Sequence, residues 1–294
     1  MNQSESFKID LNCDLGEWDA NDPNPDQQQR DRSIMPLVSS VNIACGGHRG
    51  DADSLRSTME QAAVLGVSIG LHPSFPDRKG FGRVEHPWSE ELGDELRRQL
   101  DFGRQIAQEL GVAIHHIKPH GALYNIAARD PEWAKRLWVL WRSWDEQVLV
   151  YGLSGSEVSK GLGMDLVRMD QGDGSGVGEV DGADFGAGVD SGLDFRVDMR
   201  PSYCAEVFVD RAYEPDLSLR SRSLDGAVIS DSGMFLAQLK DLVLNKKVLC
   251  TDGVYRKLDV DTVCLHSDTP DAVELAQFMT AKLREWDVEI CLCS

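Results

Sequence analysis

The stretch SVNIACGGHRGDADSLRSTMEQAAVLGVSIGLH, residues 40–72, decides the fold class of this chain. Its two ends are short runs of mostly apolar or β-branched residues, which are typical of buried parallel strands. Between them, Asp51 or Asp53 can cap a helix that stops at Gly66. The apolar positions of that helix are Leu55, Met59 and Ala62. The stretch therefore predicts a strand, a helix and a second strand.

The same alternation of strands and helices continues along the chain. The predicted strands are Phe7–Asn12, Ser40–Cys45, Val67–His72, Ala113–Lys118, Val148–Gly152, Cys204–Val209, Leu224–Ile229 and Thr262–His266. Further helix starts are predicted at Ser89, Asp130-Pro131, Asp231 and Thr269-Pro270. Such alternation indicates a parallel α/β fold. We expect a single domain over residues 1–294.

One segment, at about residues 165–200, does not fit this alternation. It contains the run QGDGSGVGEVDGADFGAGVDSGLD, which has no helical period and little strand propensity. A composition so rich in Gly and Asp buries too little apolar surface to order itself firmly. We therefore predict a solvated surface insertion and no second domain.

Charge and hydropathy exclude several classes of protein. The formal net charge of −19 argues against binding to nucleic acid or to anionic membranes, which need a basic surface. No apolar run approaches the roughly 20 residues that span a bilayer, and residues 1–8 lack the apolar core of a signal peptide. We expect a cytoplasmic protein.

The seven cysteines are odd in number and contain no C-x-x-C pair. Several lie in apolar runs, where Cys behaves as a small buried hydrophobe. A disulfide framework is therefore not expected, and reduced structural thiols are predicted.

Polar side chains follow most of the predicted strands. In a closed parallel barrel the carboxyl ends of all strands meet on one face, and that face carries the active site. Residues far apart in sequence are then expected to converge on one pocket. The residues so placed include Asp14, Glu17, Asn42, His48, His72, Arg83, Lys118, His120, Asp210, Arg211 and His266.

Seven ordered blocks resemble the signature blocks of the LamB/YcsF family: IDLNCDLGE, VNIACGGHRGD, IGLHPSFPD with GFGR, KPHGALYN, GLSGSE, EVFVDRAY and VCLHSDTPDAV. The resemblance implies a distorted TIM-like (β/α) barrel of the glycoside hydrolase/deacetylase type. It also implies ATP-coupled opening of the lactam 5-oxo-L-proline to L-glutamate, together with two partner subunits, B and C. The insertion at 165–200 looks longer than the family pattern.

The residue types suggest roles in such a reaction. We predict Asp14, Lys118 and His120 as catalytic, with Glu17 and Asp210 as alternative general bases. Arg83, Lys118 or Arg211 suits the substrate carboxylate or a transferred phosphate. The predicted substrate-binding residues are Asn42, His48, His72, Arg83, Asp210 and Arg211.

The sequence leaves two cofactors to consider, a divalent metal ion and ATP. Asp14, His48 and His72 follow three different strands and together offer a carboxylate and two imidazoles for a divalent metal, the alternative being that they only hydrogen-bond the substrate. The chain has no G-x-x-x-x-G-K-[ST] loop, so ATP binds either here in another way or on a partner subunit.

Two other functions remain open at this point. One is a stand-alone metal-dependent amidase or a deacetylase-like hydrolase of carbohydrates or amides. The other is a non-catalytic subunit that binds a small carboxylate.

Overall fold

The computed structural model describes residues 7–22, 24–156, 203–269 and 271–293. The insertion predicted at about residues 165–200 lies outside these described residues.

The strands of the described part are β1 (Phe7–Leu15), β2 (Ser40–Ala44), β3 (Ser68–His72), β4 (Ile114–Ile117), β5 (Leu149–Leu153), β6 (Tyr203–Phe208), β7 (Lys247–Leu249), β8 (Tyr255–Lys257), β9 (Thr262–Cys264) and β10 (Val288–Ile290). Seven of them, all parallel, close into a barrel in the order β1-β2-β3-β4-β5-β6-β9, and β9 pairs again with β1. Strand β10 extends the sheet beside the start of β1, and β7 and β8 form a separate antiparallel hairpin.

Helices cover the outside of this barrel, so the predicted parallel α/β barrel is confirmed. Within the described residues, no helix is both long and apolar enough to cross a bilayer. The helices are α1 (Pro25–Ile34), α2 (Ala52–Leu65), α3 (Glu90–Leu110), α4 (Gly121–Arg129), α5 (Pro131–Trp144), α6 (Ser232–Asn245) and α7 (Ala272–Glu285).

Helix α2 begins and ends through local chemistry. The Asp51 carboxylate accepts a hydrogen bond from Ser54 N at 3.0 Å, and Ser54 Oγ accepts one from Asp51 N at 2.8 Å, which forms a capping box. Gly66 ends the helix at φ 69°, a left-handed conformation that glycine adopts without steric cost. Asp51, and not Asp53, is therefore the cap.

Helix α3 packs tightly on the barrel at one glycine. Gly103 is buried, and a Cβ added there would lie 2.4 Å from Leu71 Cδ2 of β3. At Gly93 of the same helix, an added Cβ would meet its nearest atom at 3.4 Å, an ordinary contact distance. Gly103 thus lets α3 approach the barrel wall closely.

The structure corrects two predicted elements. Residues 224–229 form no strand, and only an isolated bridge joins Val228 to Arg211. Thr269 does not cap α7, which follows Asp271 and has no side-chain cap. The Thr269 hydroxyl instead donates to Asp210 Oδ2, so a buried polar contact takes precedence over the local cap.

The expectation of reduced thiols is wrong for one pair. Cys204 of β6 and Cys293 near the chain end, 89 residues apart, are disulfide-bonded. Five other cysteines of the described residues are free: Cys13, Cys45, Cys250, Cys264 and Cys291.

Candidate active site

A cavity of about 540 Å³ opens where the barrel strands end. Strand ends from opposite sides of the ring contribute to it, as expected for a parallel barrel. Side chains of its inner part are Asp14, His72, Lys118, His120, Tyr124, Phe208 and His266. Arginines of its outer part are Arg83, Arg129, Arg211, Arg220 and Arg222.

Lys118 is the central cation of the inner cavity. Its side chain is only 2% exposed, and Nζ lies 2.8 Å from Asp14 Oδ1 and 2.9 Å from Glu206 Oε1. Nζ also donates to Asn12 Oδ1 at 3.3 Å and approaches Cys264 Sγ at 3.1 Å. One ammonium thus joins residues of β1, β6 and β9 across the barrel.

Electrostatics keep this lysine and its main partner charged. Burial alone would lower the pKa of Lys118, but Asp14, Cys264 and Glu206 outweigh it and raise that pKa well above its usual value. Burial would likewise raise the pKa of Asp14, but His72 and Lys118 hold it well below the usual range. An ionised pair buried at the floor of a cavity is a suitable electrostatic device for stabilising charge in a transition state.

Asp14 is held in place by its neighbour on β2. The register of the two strands pairs Asp14 with Asn42, and Asn42 Nδ2 donates to Asp14 Oδ1 at 2.8 Å. His116 on β4 contacts Asn42 Oδ1 at 2.7 Å. Asn42 is fully buried, so it orients the carboxylate from behind the cavity.

Three histidines and a carboxylate lie beside this pair. The rings of His48 and His120 are stacked at a centroid distance of 3.6 Å, and His72 approaches His120 edge-on. His72 Nε2 lies 2.9 Å from His120 Nδ1, and Glu17 Oε1 lies 3.0 Å from His48 Nε2. We call Glu17, His48, His72 and His120 the histidine cluster.

Burial disfavours charge within this cluster. Desolvation lowers the pKa of His48 and of His120 well below the usual value, and the neighbouring histidines add to that effect. Desolvation also raises the pKa of Glu17 to about 7, with a contribution from the charge of Asp14. The Glu17 carboxyl group is therefore able to exchange a proton near neutral pH, whereas the rings of His48 and His120 favour the neutral form.

A second acidic group lies behind the other side of the cavity. Asp210 is fully buried; its Oδ1 and Oδ2 each lie 3.1 Å from His266 Nδ1, and Oδ2 also accepts from Thr269. Burial opposes its ionisation, but His266 and these hydrogen bonds lower the pKa of Asp210 to about 2. Asp210 therefore orients His266, which does line the cavity.

Several arginines line the mouth of the cavity, and most of them pair with a carboxylate. Asp268 Oδ2 pairs with both Arg83, at 2.9 Å, and Arg222, at 3.1 Å. Arg220 pairs with Glu214 at 2.8 Å. Guanidinium groups bind carboxylates and phosphates through paired hydrogen bonds, so an anionic ligand would find several donors here.

One buried hydroxyl also faces the cavity. Tyr124 lines it, and its Oη lies near the Glu206 carboxylate without a hydrogen bond of ordinary geometry among the described residues. Burial and the nearby charge of Glu206 raise the pKa of Tyr124 well above the usual value, so the phenol stays protonated. It is available to donate to a bound ligand.

The structure separates the predicted site residues into two sets. Those that line the cavity are Asp14, His72, Arg83, Lys118, His120 and Arg211. Those that support it from behind are Asn42, His48 and Asp210. The three predicted metal ligands fall into different groups. His48 and His72 lie with Glu17 and His120, whereas Asp14 lies with Cys264 and His266.

Sequence reasoning assigned no role to Glu206, Arg220 or Arg222. Glu206 lies within β6, where an acidic residue in an apolar strand is an available signal of a buried ion pair. Arg220 and Arg222 lie in the irregular segment after β6, and no periodicity marks that segment.

The chain is similar to proteins of one family along most of its length. The family model described as "LamB/YcsF family" matches residues 9–168 and 196–294. The A subunit of 5-oxoprolinase from Tolumonas auensis is 37% identical over 284 residues, which cover 96% of this chain and 98% of that protein. The corresponding 5-oxoprolinase chain of Heliobacterium modesticaldum is 35% identical, and the match covers 94% of each chain.

A solved structure has the same architecture. The lactam utilization protein from Thermus thermophilus superposes with a TM-score of 0.76 and is 30% identical in sequence. The match covers 97% of this chain and 99% of that one.

Proposed function

This chain belongs to the LamB/YcsF family, and on that premise we propose that it is the lactam-handling subunit of an ATP-dependent 5-oxoprolinase. The reaction is the opening of 5-oxo-L-proline to L-glutamate with hydrolysis of ATP to ADP and phosphate. The observation that carries the proposal is the buried ion pair of Lys118 and Asp14 at the floor of a cavity with an arginine-rich mouth.

The cavity suits the two polar ends of this substrate. A lactam is a poor electrophile, so its opening needs charge stabilisation at the carbonyl oxygen. Lys118 is the buried cation for that oxygen, and Tyr124 supplies a hydroxyl donor without a hydrogen bond of ordinary geometry to the described residues. The substrate carboxylate binds at the mouth, where Arg83 and Arg222 share Asp268.

Proton transfer falls to the histidine side of the cavity. His120 is held neutral by burial and lies 3.5 Å from Glu17, whose pKa is about 7. The ionised Glu17 carboxylate stabilises the imidazolium that forms when His120 accepts a proton from water, and His120 then returns that proton to the departing lactam nitrogen. His120 therefore acts as the acid–base group and Asp14 as the fixed negative charge opposite Lys118.

ATP activates the lactam by phosphorylating its oxygen, with release of ADP. Water then adds to the ring carbon and the C–N bond breaks, which leaves a free amine and an acyl phosphate. A second water hydrolyses that acyl phosphate to the carboxylate and phosphate. The arginine side chains at the mouth supply the contacts for the transferred phosphoryl group. Because the sequence has no phosphate-binding loop motif, the main ATP site is better placed on a partner chain. The relatives are named for one lettered subunit of 5-oxoprolinase, which fits a complex, and we take the partners to be subunits B and C in the cytoplasm.

The test is glutamate release from 5-oxo-L-proline by this chain mixed with candidate subunits B and C. Release should need all three chains and ATP. Release by B and C alone, or turnover without ATP, would refute the proposal.

One observation favours a second function, a metal-dependent amidase. The histidine cluster brings three imidazoles and a carboxylate together, and such sets activate water without ATP. Amide hydrolysis by this chain alone, dependent on metal and indifferent to ATP, would establish it in place of the first.

A further inference from the structure

Two ring nitrogens of the histidine cluster face each other, and protein atoms cannot supply both of them with a hydrogen-bond donor. His72 Nδ1 lies 2.7 Å from the carbonyl oxygen of Lys118, and His120 Nε2 lies 3.0 Å from that of Phe81. A carbonyl only accepts hydrogen bonds, so both outer nitrogens carry hydrogen. In neutral rings the inner nitrogens, His72 Nε2 and His120 Nδ1, are then both lone-pair acceptors, yet they lie 2.9 Å apart.

Further acceptors point at the same place. Asp14 Oδ2 lies 3.4 Å from His72 Nε2, and Glu17 Oε1 lies 3.5 Å from His120 Nδ1 and 3.0 Å from His48 Nε2. One ligand atom from each member of the cluster falls within 4.8 Å of the others. A set of converging lone pairs and carboxylates is stable only around a positive centre.

That centre is either an extra proton or a metal ion. A proton shared by His72 Nε2 and His120 Nδ1 would leave Glu17 Oε1 and His48 Nε2 outside that bridge. A proton bridges only one pair of acceptors, whereas a metal ion bonds to several at once.

We propose that the histidine cluster binds one divalent transition-metal ion through His72 Nε2, His120 Nδ1, His48 Nε2 and Glu17 Oε1. Imidazole and carboxylate ligands suit Zn²⁺ and the neighbouring first-row ions. Compared with the ligands predicted from the sequence, Glu17 and His120 take the place of Asp14.

The surroundings of two of the three rings fit ligation; His48 Nδ1 is buried without a hydrogen-bond partner among the described residues. Ligating histidines usually donate their other ring N–H to a backbone carbonyl or a carboxylate, which fixes the tautomer, and His72 and His120 both do so. Phe81 adopts φ 56°, which is unusual for an aromatic residue, in the turn that presents its carbonyl to His120. The strained turn thus contributes to a fixed ring orientation.

The neighbouring group of Asp14, Cys264 and His266 is the less suitable site. Lys118 Nζ already bonds to Asp14 at 2.8 Å and approaches Cys264 at 3.1 Å, so a cation occupies that space. An ion in the histidine cluster would supply a Lewis acid beside the lactam carbonyl. The inference is independent of the substrate and of ATP. A bound ion would take the lone pair of His120 Nδ1, so in the metal-loaded protein His120 would hold the ion and would not transfer the proton.

The test measures binding by the purified full chain, stripped with a chelator and titrated with Zn²⁺ or Co²⁺ alone. Metal content is determined by mass spectrometry, and Co²⁺ adds a visible spectrum that reports its ligands. His72→Gln and His120→Gln should weaken binding by about 100-fold or more. The matched control is His115→Gln, because His115 is half-buried outside the cluster, and His266→Gln reports on the neighbouring group.

The proposal expects one ion per chain, a Co²⁺ spectrum without a thiolate charge-transfer band, and a melting temperature that rises with metal in the wild type and in His115→Gln. Three results would overturn it. The first is that the protein takes up neither ion. The second is that His120→Gln binds metal with unchanged affinity while His266→Gln loses it. The third is an imidazolium ¹⁵N signal from His72 in a protein that takes up no ion. None of these depends on lactam turnover, so this inference fails or stands separately from the proposed function.

Discussion

The Lys118 ammonium lies 2.8 Å from Asp14 Oδ1 while both side chains are nearly inaccessible to solvent. Glu206, fully buried, lies 2.9 Å from the same ammonium. Two buried carboxylates therefore depend on one cation. This arrangement is costly to assemble in a low-dielectric interior, and a catalytic role is the reason we offer for its presence.

Removing that cation should destabilise the fold. Lys118→Met leaves Asp14 and Glu206 buried without their partner, so we expect the free energy of unfolding to fall by about 3 kcal/mol or more. Urea denaturation measures this. Lys257→Met, at an exposed position of β8, is the control and should change stability by about 0.5 kcal/mol or less. Equal stability of the two variants would contradict the buried ion pair.

The arginines at the mouth should affect substrate binding more than turnover. Arg222→Ala removes a guanidinium that lines the cavity, and we expect KM for 5-oxo-L-proline to rise about tenfold, since a charge-assisted hydrogen bond contributes on the order of 1.5–3 kcal/mol. Arg256→Ala, which breaks a surface pair with Asp252 on the β7–β8 hairpin, should leave KM unchanged. Steady-state kinetics of the complex measures KM for both variants. An unchanged KM in Arg222→Ala would show that the substrate carboxylate does not bind at Arg222.

Two glycines of one helix should respond in opposite ways to alanine. At Gly103 the new methyl group meets Leu71 at 2.4 Å, so Gly103→Ala should lower the free energy of unfolding by about 1–3 kcal/mol. At Gly93 there is room, so Gly93→Ala should be neutral or stabilising by up to about 1 kcal/mol through helix propensity. Thermal melts of both variants test the packing of α3 on β3, and a stable Gly103→Ala would refute it.

The stability of the fold should depend on pH through the ionisation of Asp210. Its pKa is about 2 when folded and near 3.8 in an ordinary environment, so its ionisation stabilises the fold above about pH 4, and this contribution is lost as pH falls toward 2. Asp210→Asn should therefore cost about 2 kcal/mol at neutral pH and progressively less below pH 4. Urea denaturation at pH 7 and pH 3 measures the difference. A cost that does not shrink in acid would exclude this ionisation as its source.

The sequence predicts the elements of the barrel better than the contacts between them. The strand–helix–strand stretch at residues 40–72 contains its own periodicity, cap and stop, so β2, α2 and β3 were predictable within a residue or so. Helix α1 was missed because PDQQQRDRSI has no apolar stripe. The disulfide of Cys204 and Cys293 joins positions 89 residues apart, and local pattern carries no information about such a pair.

For the candidate site too, the sequence predicts which residues share a pocket better than it predicts their contacts. The position of Asp14, Lys118 and His120 after barrel strands was enough to predict that they share a pocket. It was not enough to predict that Glu206 pairs with Lys118, or that His48 stacks on His120 and not beside Asp14. These contacts depend on strand register and on the side of each strand that faces the barrel, which only the closed sheet determines.

The central claim is that lactam opening takes place in this barrel. The most direct measurement is glutamate release from 5-oxo-L-proline with ATP by the complex of this chain with subunits B and C. It compares the wild type with Lys118→Ala and His120→Gln, each first shown by its melting curve to be folded. We predict a loss of about 100-fold or more in kcat for both variants, and full turnover in Arg256→Ala. Wild-type turnover by a folded Lys118→Ala complex would contradict it.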